Sequence, residues 1–218
     1  MKRVLRKQLK EDEFVTTFNK VVDFIKKHTK TIIAGVALIL FALIVLVGVK
    51  FIKSQAEKKE SVLLTEILQL SSDLEGSPEN VKALESLGGK GKFSRLAYIH
   101  LATHWVGKNE LDKAMAVIEK MPKNKKDLFY YQAQDLMAQI HIKNGNFDRA
   151  IEIYNTIEEE NPGEYSLDVV LFHRAEAHEG KGEKEKALEL YRRIKNDFPG
   201  TYYGLDASGK VEELERKK

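Results

Sequence analysis

The sequence contains no cysteine, and its 218 residues include only 4 prolines, 14 glycines and 1 tryptophan. Without a thiol there is no disulfide framework, no thiolate metal site and no cysteine nucleophile. Nor is there a cysteine to carry an N-terminal lipid. So few prolines and glycines exclude collagen-like and proline-rich low-complexity chains. A phosphate-binding P-loop, a G-x-S-x-G elbow and an H-E-x-x-H helix are also missing. The segment Gly88-Gly89-Lys90-Gly91-Lys92 lacks P-loop spacing and a Ser/Thr directly after its lysines, and reads as a flexible turn.

What remains suits a packed core, with 43% apolar and 32% charged residues. The net charge of +3 is unevenly spread. Residues 1–53 hold 11 Lys/Arg against 4 Asp/Glu, a balance of +7, and residues 54–218 carry −4. The mildly acidic remainder argues against a nucleic-acid-binding body.

From Ile32 to Val49 the chain reads IIAGVALILFALIVLVGV, 18 residues without a charged side chain. Thr31 to Ile52 spans about 22 residues, enough to cross a hydrocarbon core of about 30 Å at helical rise. A buried soluble helix is rarely apolar on every face for so long. A cleaved signal peptide would have a shorter apolar run nearer the start, followed by a small-x-small site. Gly48-Val49-Lys50-Phe51 matches such a site poorly, so the expectation is an uncleaved signal anchor. Lys20, Lys26, Lys27 and Lys30 before the span balance Lys50, Lys53, Lys58 and Lys59 after it. Lys2, Arg3, Arg6, Lys7 and Lys10 break the tie and place the N-terminus in the cytoplasm. Before the span, Phe14, Phe18, Val21 and Ile25 fall on one helical face. That face is either an amphipathic surface for the inner leaflet or a membrane partner, or a stub of ordinary helix.

A repeat occupies the second half. NGNFDRAIEIYNTIEEENPGE from Asn144 aligns with KGEKEKALELYRRIKNDFPGT from Lys181 at an offset of 37. Gly145, Ala150, Tyr154, Ile157 and Pro162 match Gly182, Ala187, Tyr191, Ile194 and Pro199, and upstream Ala138 matches Ala175. A fainter copy from Lys108 puts Ala114 before Ala150, and Ala102 before Ala138, by 36. This pattern resembles the tetratricopeptide repeat, whose unit is a pair of helices of about 34 residues. In that frame Ala102, Ala138 and Ala175 on first helices, and Ala114, Ala150 and Ala187 on second helices, let the pair approach closely. Gly145 and Gly182 end first helices at positive φ. Asp112 and Asp148 are expected to cap second helices, and Pro162 and Pro199 to close them. The first copy has Asn109 in place of the glycine, and Arg174 stands where the repeat has a large apolar residue, so its first helix is expected to be rotated or exposed at its end.

The flanks read as caps. Val62, Leu63, Ile67, Leu70 and Leu74 form a stripe on a linking helix. Ser77-Pro78 opens a short helix, and Ser94 is expected to cap the next. Tyr202 to Arg216 reads as a closing helix with Leu205, Val211 and Leu214 inward. The expected fold is all-α: a single N-terminal transmembrane helix, then a tetratricopeptide-repeat α-solenoid of about three helix pairs plus capping helices. The expected divisions are 1–30 basic and cytoplasmic, 31–52 membrane-spanning, 53–93 linking and capping, and 94–218 repeats.

No catalytic constellation accompanies this. His100 and His104 stand at i and i+4, a metal-compatible spacing without an evident third ligand. Glu158, Glu159 and Glu160 read as a solvated helix end, and a histidine-dependent hydrolase lacks its other groups. No cofactor is expected. Outward positions of first helices bind partner segments in such solenoids. Here they are Gln132, Asp135, Gln139 and Ile142 in the second repeat, and Val169, Phe172, Glu176 and Glu179 in the third.

The whole order also resembles the ancillary SecYEG translocon subunit family of the YfgM type. The likeness rests on Glu11-Asp12-Glu13-Phe14 opening a helix that runs to the span, and on SRLAYIHLA at Ser94–Ala102. It implies a bacterial inner-membrane protein, its repeats in the periplasm, partnered by the SecYEG translocon and a PpiD-type periplasmic chaperone. An envelope scaffold for cell-wall or division machinery, or self-association through the linking stripe, fits the residues equally.

Deleting residues 1–53 is expected to leave a soluble, highly helical product. Membrane fractionation and far-ultraviolet circular dichroism test this; a truncated chain that still pellets with membranes would refute the break at Lys53.

Overall fold

A computed structural model describes the backbone over residues 2–216, and all the side chains in that range except those of residues 2–15, 17, 21, 23, 32 and 36. Nine helices and no strand are found among the described residues. They are α1 (Lys2–Ser71), α2 (Pro78–Leu87), α3 (Ser94–Gly107), α4 (Leu111–Glu119), α5 (Leu128–Lys143), α6 (Phe147–Glu160), α7 (Leu167–Gly180), α8 (Lys184–Asp197) and α9 (Tyr202–Arg216). The chain divides into two compact units, residues 1–58 and 59–218.

In the first unit α1 departs from helical geometry at His28, with φ −111° and ψ 16°. Thr29 Oγ1 donates to the carbonyls of Ile25 (2.7 Å) and Lys26 (3.1 Å) beside this kink. Phe14 and Val21 of the amphipathic stripe lie outside the described side chains, while Phe18 and Ile25 are exposed. The described side chains of the apolar run are unburied: Leu38 and Ile44 are each 70% exposed. A soluble core helix would be covered, so length, composition and exposure together mark a helix able to cross a membrane.

The second unit is a row of helix pairs. Helix α3 packs on α4, α5 on α6 and α7 on α8, and α9 closes the row against α8. The alanines explain the pairing: Ala102, Ala114, Ala138, Ala150, Ala175 and Ala187 are each fully buried. A methyl side chain lets two backbones approach without losing packing density. The larger neighbours Ile118, Tyr154, Tyr191 and Ile194 then fill the space between layers at 0% exposure. First helices also touch in turn, α3 to α5, α5 to α7 and α7 to α9. Among the described residues no Cα of α4 comes within 8 Å of α6, nor of α6 within 8 Å of α8. The first helices therefore line the tighter, inner row.

Turns follow the repeat. Gly145 and Gly182 lie at φ 73° and 85°. Asn109 reaches φ 58° in the corresponding place, so the glycine missing from the first copy is replaced by the other residue that tolerates this region. Each turn closes the same way, with Glu110, Asn146 and Glu183 N–H groups bonding the Trp105, His141 and His178 carbonyls at 2.8–2.9 Å.

Several local expectations need correction. Asp112 and Asp148 are not caps: Glu110 and Asn146 hold those positions, and the aspartates sit in the first turn, where the helix dipole favours them. Ser94 is the first residue of α3, and its hydroxyl donates backwards to the Gly91 carbonyl at 2.8 Å. Val62 is 67% exposed, so the linking stripe is Leu63, Ile67, Leu70 and Leu74. Leu205 is 68% exposed, because α9 turns Gly204, Ala207, Val211 and Leu214 inward at three- and four-residue spacing. Gly204 is required there: a Cβ would lie 1.8 Å from the Phe198 carbonyl oxygen.

Arg174 does not leave an end exposed. Its Nη1 pairs with Glu158 Oε2 and Asn155 Oδ1, both at 2.6 Å, replacing an apolar contact between α6 and α7 by an ionic one. Glu158 also receives Arg193 (2.5 Å), and Glu160 receives Lys126 (2.6 Å) and the Tyr131 hydroxyl (2.9 Å). Of the three glutamates read as a solvated end, two are tied into neighbouring elements.

Asn109→Gly is expected to leave stability nearly unchanged, whereas Asn109→Val should cost about 1–2 kcal/mol. Urea unfolding of the detergent-held chain checks this; equal stability of the valine variant would show that the turn is not held at positive φ.

Candidate protein-interaction face

The slot at Ile99, Asp135 and Phe172 shows how the inner face differs between repeats. All three positions are buried, at 4%, 6% and 5% exposure. Two hold apolar side chains, as a packed helix face requires. The middle one holds a carboxylate, which is tolerable only when its oxygens are satisfied.

Four donors satisfy it. Tyr154 from α6 donates its hydroxyl to Asp135 Oδ1 at 2.9 Å. Tyr165, in the α6–α7 connection, donates to Oδ2 at 2.8 Å, and Gln139 Nε2 donates to Oδ2 at 3.0 Å. His173 Nδ1 on α7 lies 2.8 Å from Oδ1. A carboxylate only accepts, so the proton of this contact sits on Nδ1. Asp135 thereby joins α5, α6, their following loop and α7.

The cluster shifts its own titrations. Burial raises the Tyr154 and Tyr165 hydroxyls well above the usual phenol range, and the Asp135 charge and hydrogen bonds add to it. Burial acts to lower His173, but the hydrogen bond and charge of Asp135 and the charge of Glu176 outweigh it and hold the imidazolium above its usual 6.5. Burial raises the Glu176 carboxyl, against the pull of His173 and Lys210.

The expected face residues divide by exposure. Gln132 is exposed; Gln139, Ile142, Val169, Glu176 and Glu179 are half-buried. Asp135 and Phe172 are turned inward, because their slot is the one that packs against the second helix and the next repeat. Phe172 meets Tyr191 edge-on at 5.4 Å between centroids, and Tyr203 at 4.9 Å. With phenylalanine in the aspartate slot, Tyr191 sends its hydroxyl to Glu179 Oε2 instead, at 3.1 Å. Lys210 of α9 meets the same oxygen at 3.1 Å.

The spacing does not point to Tyr165, His173 and Tyr203, because the cluster is assembled from α5, α6, the α6–α7 connection, α7 and α9. One signal was present: the 37-residue register aligns Tyr154 with Tyr191, but Asp135 with Phe172.

The histidine pair on α3 forms no comparable centre. His100 and His104 have buried Nε2 atoms without hydrogen-bond partners, and burial lowers both pKa values, aided at His104 by Lys108. No group of three histidine, aspartate or glutamate side chains among the described residues could hold a metal ion.

Paired helices in a row, alanines at each close contact and a polar inner face define a helical-repeat interaction module. A family model of the tetratricopeptide repeat-like domain matches residues 23–169, more than half the chain, and a tetratricopeptide repeat model matches residues 169–201. The chain belongs to the tetratricopeptide repeat-like family. No curated protein and no solved structure matches it.

Both titrations make folding weaken as pH rises. A group whose folded pKa is raised stabilises fully below its unfolded value, and that contribution fades as pH climbs through the folded value. For Glu176 the loss begins above about 4.5, and for His173 above about 6.5. Urea midpoints measured against pH should show both windows. His173→Gln should flatten the upper one and Glu176→Gln the lower, and Asp135→Ala should cost about 3 kcal/mol or more by stranding its donors. An upper window unchanged in His173→Gln would refute the assignment.

Proposed function

We propose that this chain is a membrane-anchored interaction module that serves as an ancillary subunit of the Sec translocon and links it to periplasmic chaperones. The observation that carries the reading is the joining, in one chain, of an apolar helix whose described side chains from Ile33 onward are uncovered to a tetratricopeptide repeat domain. Repeats of this family imply protein partners, and an apolar span offers a surface to a membrane channel within the bilayer. The partners themselves, SecYEG and a PpiD-type chaperone, come from the resemblance carried by Ser94–Ala102 and by the order of segments.

In this reading the anchor lies in a bacterial inner membrane. Residues 1–30 are cytoplasmic, residues 31–52 cross the bilayer, residues 53–93 link and cap, and residues 94–218 stand in the periplasm. The excess of lysine and arginine before the span supports that orientation. The first-helix positions Gln132, Gln139, Ile142, Val169, Glu176 and Glu179 form the face offered to partners, with Asp135 and Phe172 packed beneath it. No catalytic step is assigned, in keeping with the general role of such repeats as scaffolds.

Two measurements test this. Protease added to intact spheroplasts should digest the repeat domain and spare a small anchored fragment; a protected repeat domain would mean the reverse orientation and remove the periplasmic chaperone. Crosslinking in membranes followed by purification should recover translocon subunits. Recovery of only cell-wall or division proteins would replace the translocon by an envelope scaffold.

A further inference from the structure

We propose that the inner face of α5, α7 and α9 takes a partner segment bearing a lysine or arginine, whose cation is received by Glu176. This rests on the interaction reading above and adds the chemistry of the partner.

Each neighbouring carboxylate on this face is already engaged. Asp135 accepts four hydrogen bonds. Glu179 accepts the Tyr191 hydroxyl and pairs with Lys210. Asp168 accepts from the Ser166 hydroxyl and from the Val169 N–H at 3.0 Å. Glu176 is half-buried and makes no hydrogen bond or ion pair among the described residues. Burial outweighs the pull that His173 and Lys210 exert on it through space, and a partly desolvated carboxylate without a direct partner is relieved by an incoming cation.

The surroundings fit a cation in two further ways. Tyr203 packs against Phe172 at 4.9 Å and edge-on to His173 at 5.5 Å, giving an aromatic surface beside the carboxylate. Electron-rich ring faces attract ammonium and guanidinium groups. Glu176 and Asp135 both act electrostatically on the Tyr203 hydroxyl, which places the ring within the same negative field. Lys210 pairs directly with Glu179 and acts on Glu176 only through space.

Charge complementarity selects the occupant. Asp135 is offset by His173 and Glu179 by Lys210, which leaves Glu176 as the carboxylate without a direct partner; an acidic segment would meet it with like charge, and a wholly apolar one would desolvate it further. A segment carrying a lysine or arginine meets both needs.

The test is selection of a random peptide library, displayed on phage, against the full chain in detergent. Enriched peptides are expected to share a lysine or arginine. Replacing that residue by glutamine should weaken binding about tenfold, and Glu176→Gln in the protein should do the same. Glu159→Gln, on the exposed end of α6, should leave binding unchanged. Enriched peptides without a shared cation, or binding indifferent to Glu176→Gln, would overturn this proposal and leave the interaction reading standing. Enrichment of no peptide above a detergent-only control would overturn both.

Discussion

The close approach of paired helices at alanine is the constraint on which the rest of the repeat domain depends. Six alanines, two in each pair, are wholly buried. Any larger side chain there would push the helices apart and move every position that the inner face presents. Around these contacts the bulky residues have little choice of place. Tyr154 and Tyr191 fill the same gap in successive repeats, and the turns that join the helices reach positive φ at Asn109, Gly145 and Gly182. The glycine-to-asparagine change preserves the backbone geometry, which is what the alanine contacts demand of the turn.

Within that frame, polarity enters at one buried slot. Asp135 occupies a place that is apolar in the flanking repeats and is satisfied by groups from α5, α6, the α6–α7 connection and α7. A buried carboxylate with full hydrogen bonding specifies one arrangement of its neighbours, since every alternative leaves a donor or an acceptor stranded. The same cluster brings His173, Glu176 and Tyr203 together, so the inner face acquires charge and aromatic surface from one local departure. Structural specificity and the chemistry offered to a partner arise here from the same residues.

The span, the helix pairs and the burial of the alanines were legible in the sequence, because each is written as a run or a period. Val62 and Leu205 misled, since an apolar residue beside a stripe differs from one within it by a single 100° step. The capping positions slipped by two residues at Asp112 and Asp148, because aspartate suits both the cap and the first turn. The ties of Glu158 and the donors around Asp135 were not legible. Apart from Gln139, one turn along α5 from Asp135, they join residues 16 to 38 positions apart on different elements, and no local pattern encodes such a meeting.

The two rows of the solenoid are held by different forces. First helices meet directly, one after another, whereas second helices keep their backbones apart. Between α6 and α8 the Glu158–Arg193 pair bridges the gap, and Lys126 of the α4–α5 connection and Lys181 of the α7–α8 turn tie to Glu160 and Asp148 of α6. Charge screening has little hold on apolar contact or on the buried Asp135 cluster, but partly exposed ion pairs are screened beyond about 10 Å at 0.1 M ionic strength. Rising ionic strength therefore loosens the outer ties of the row before its alanine contacts and buried carboxylate.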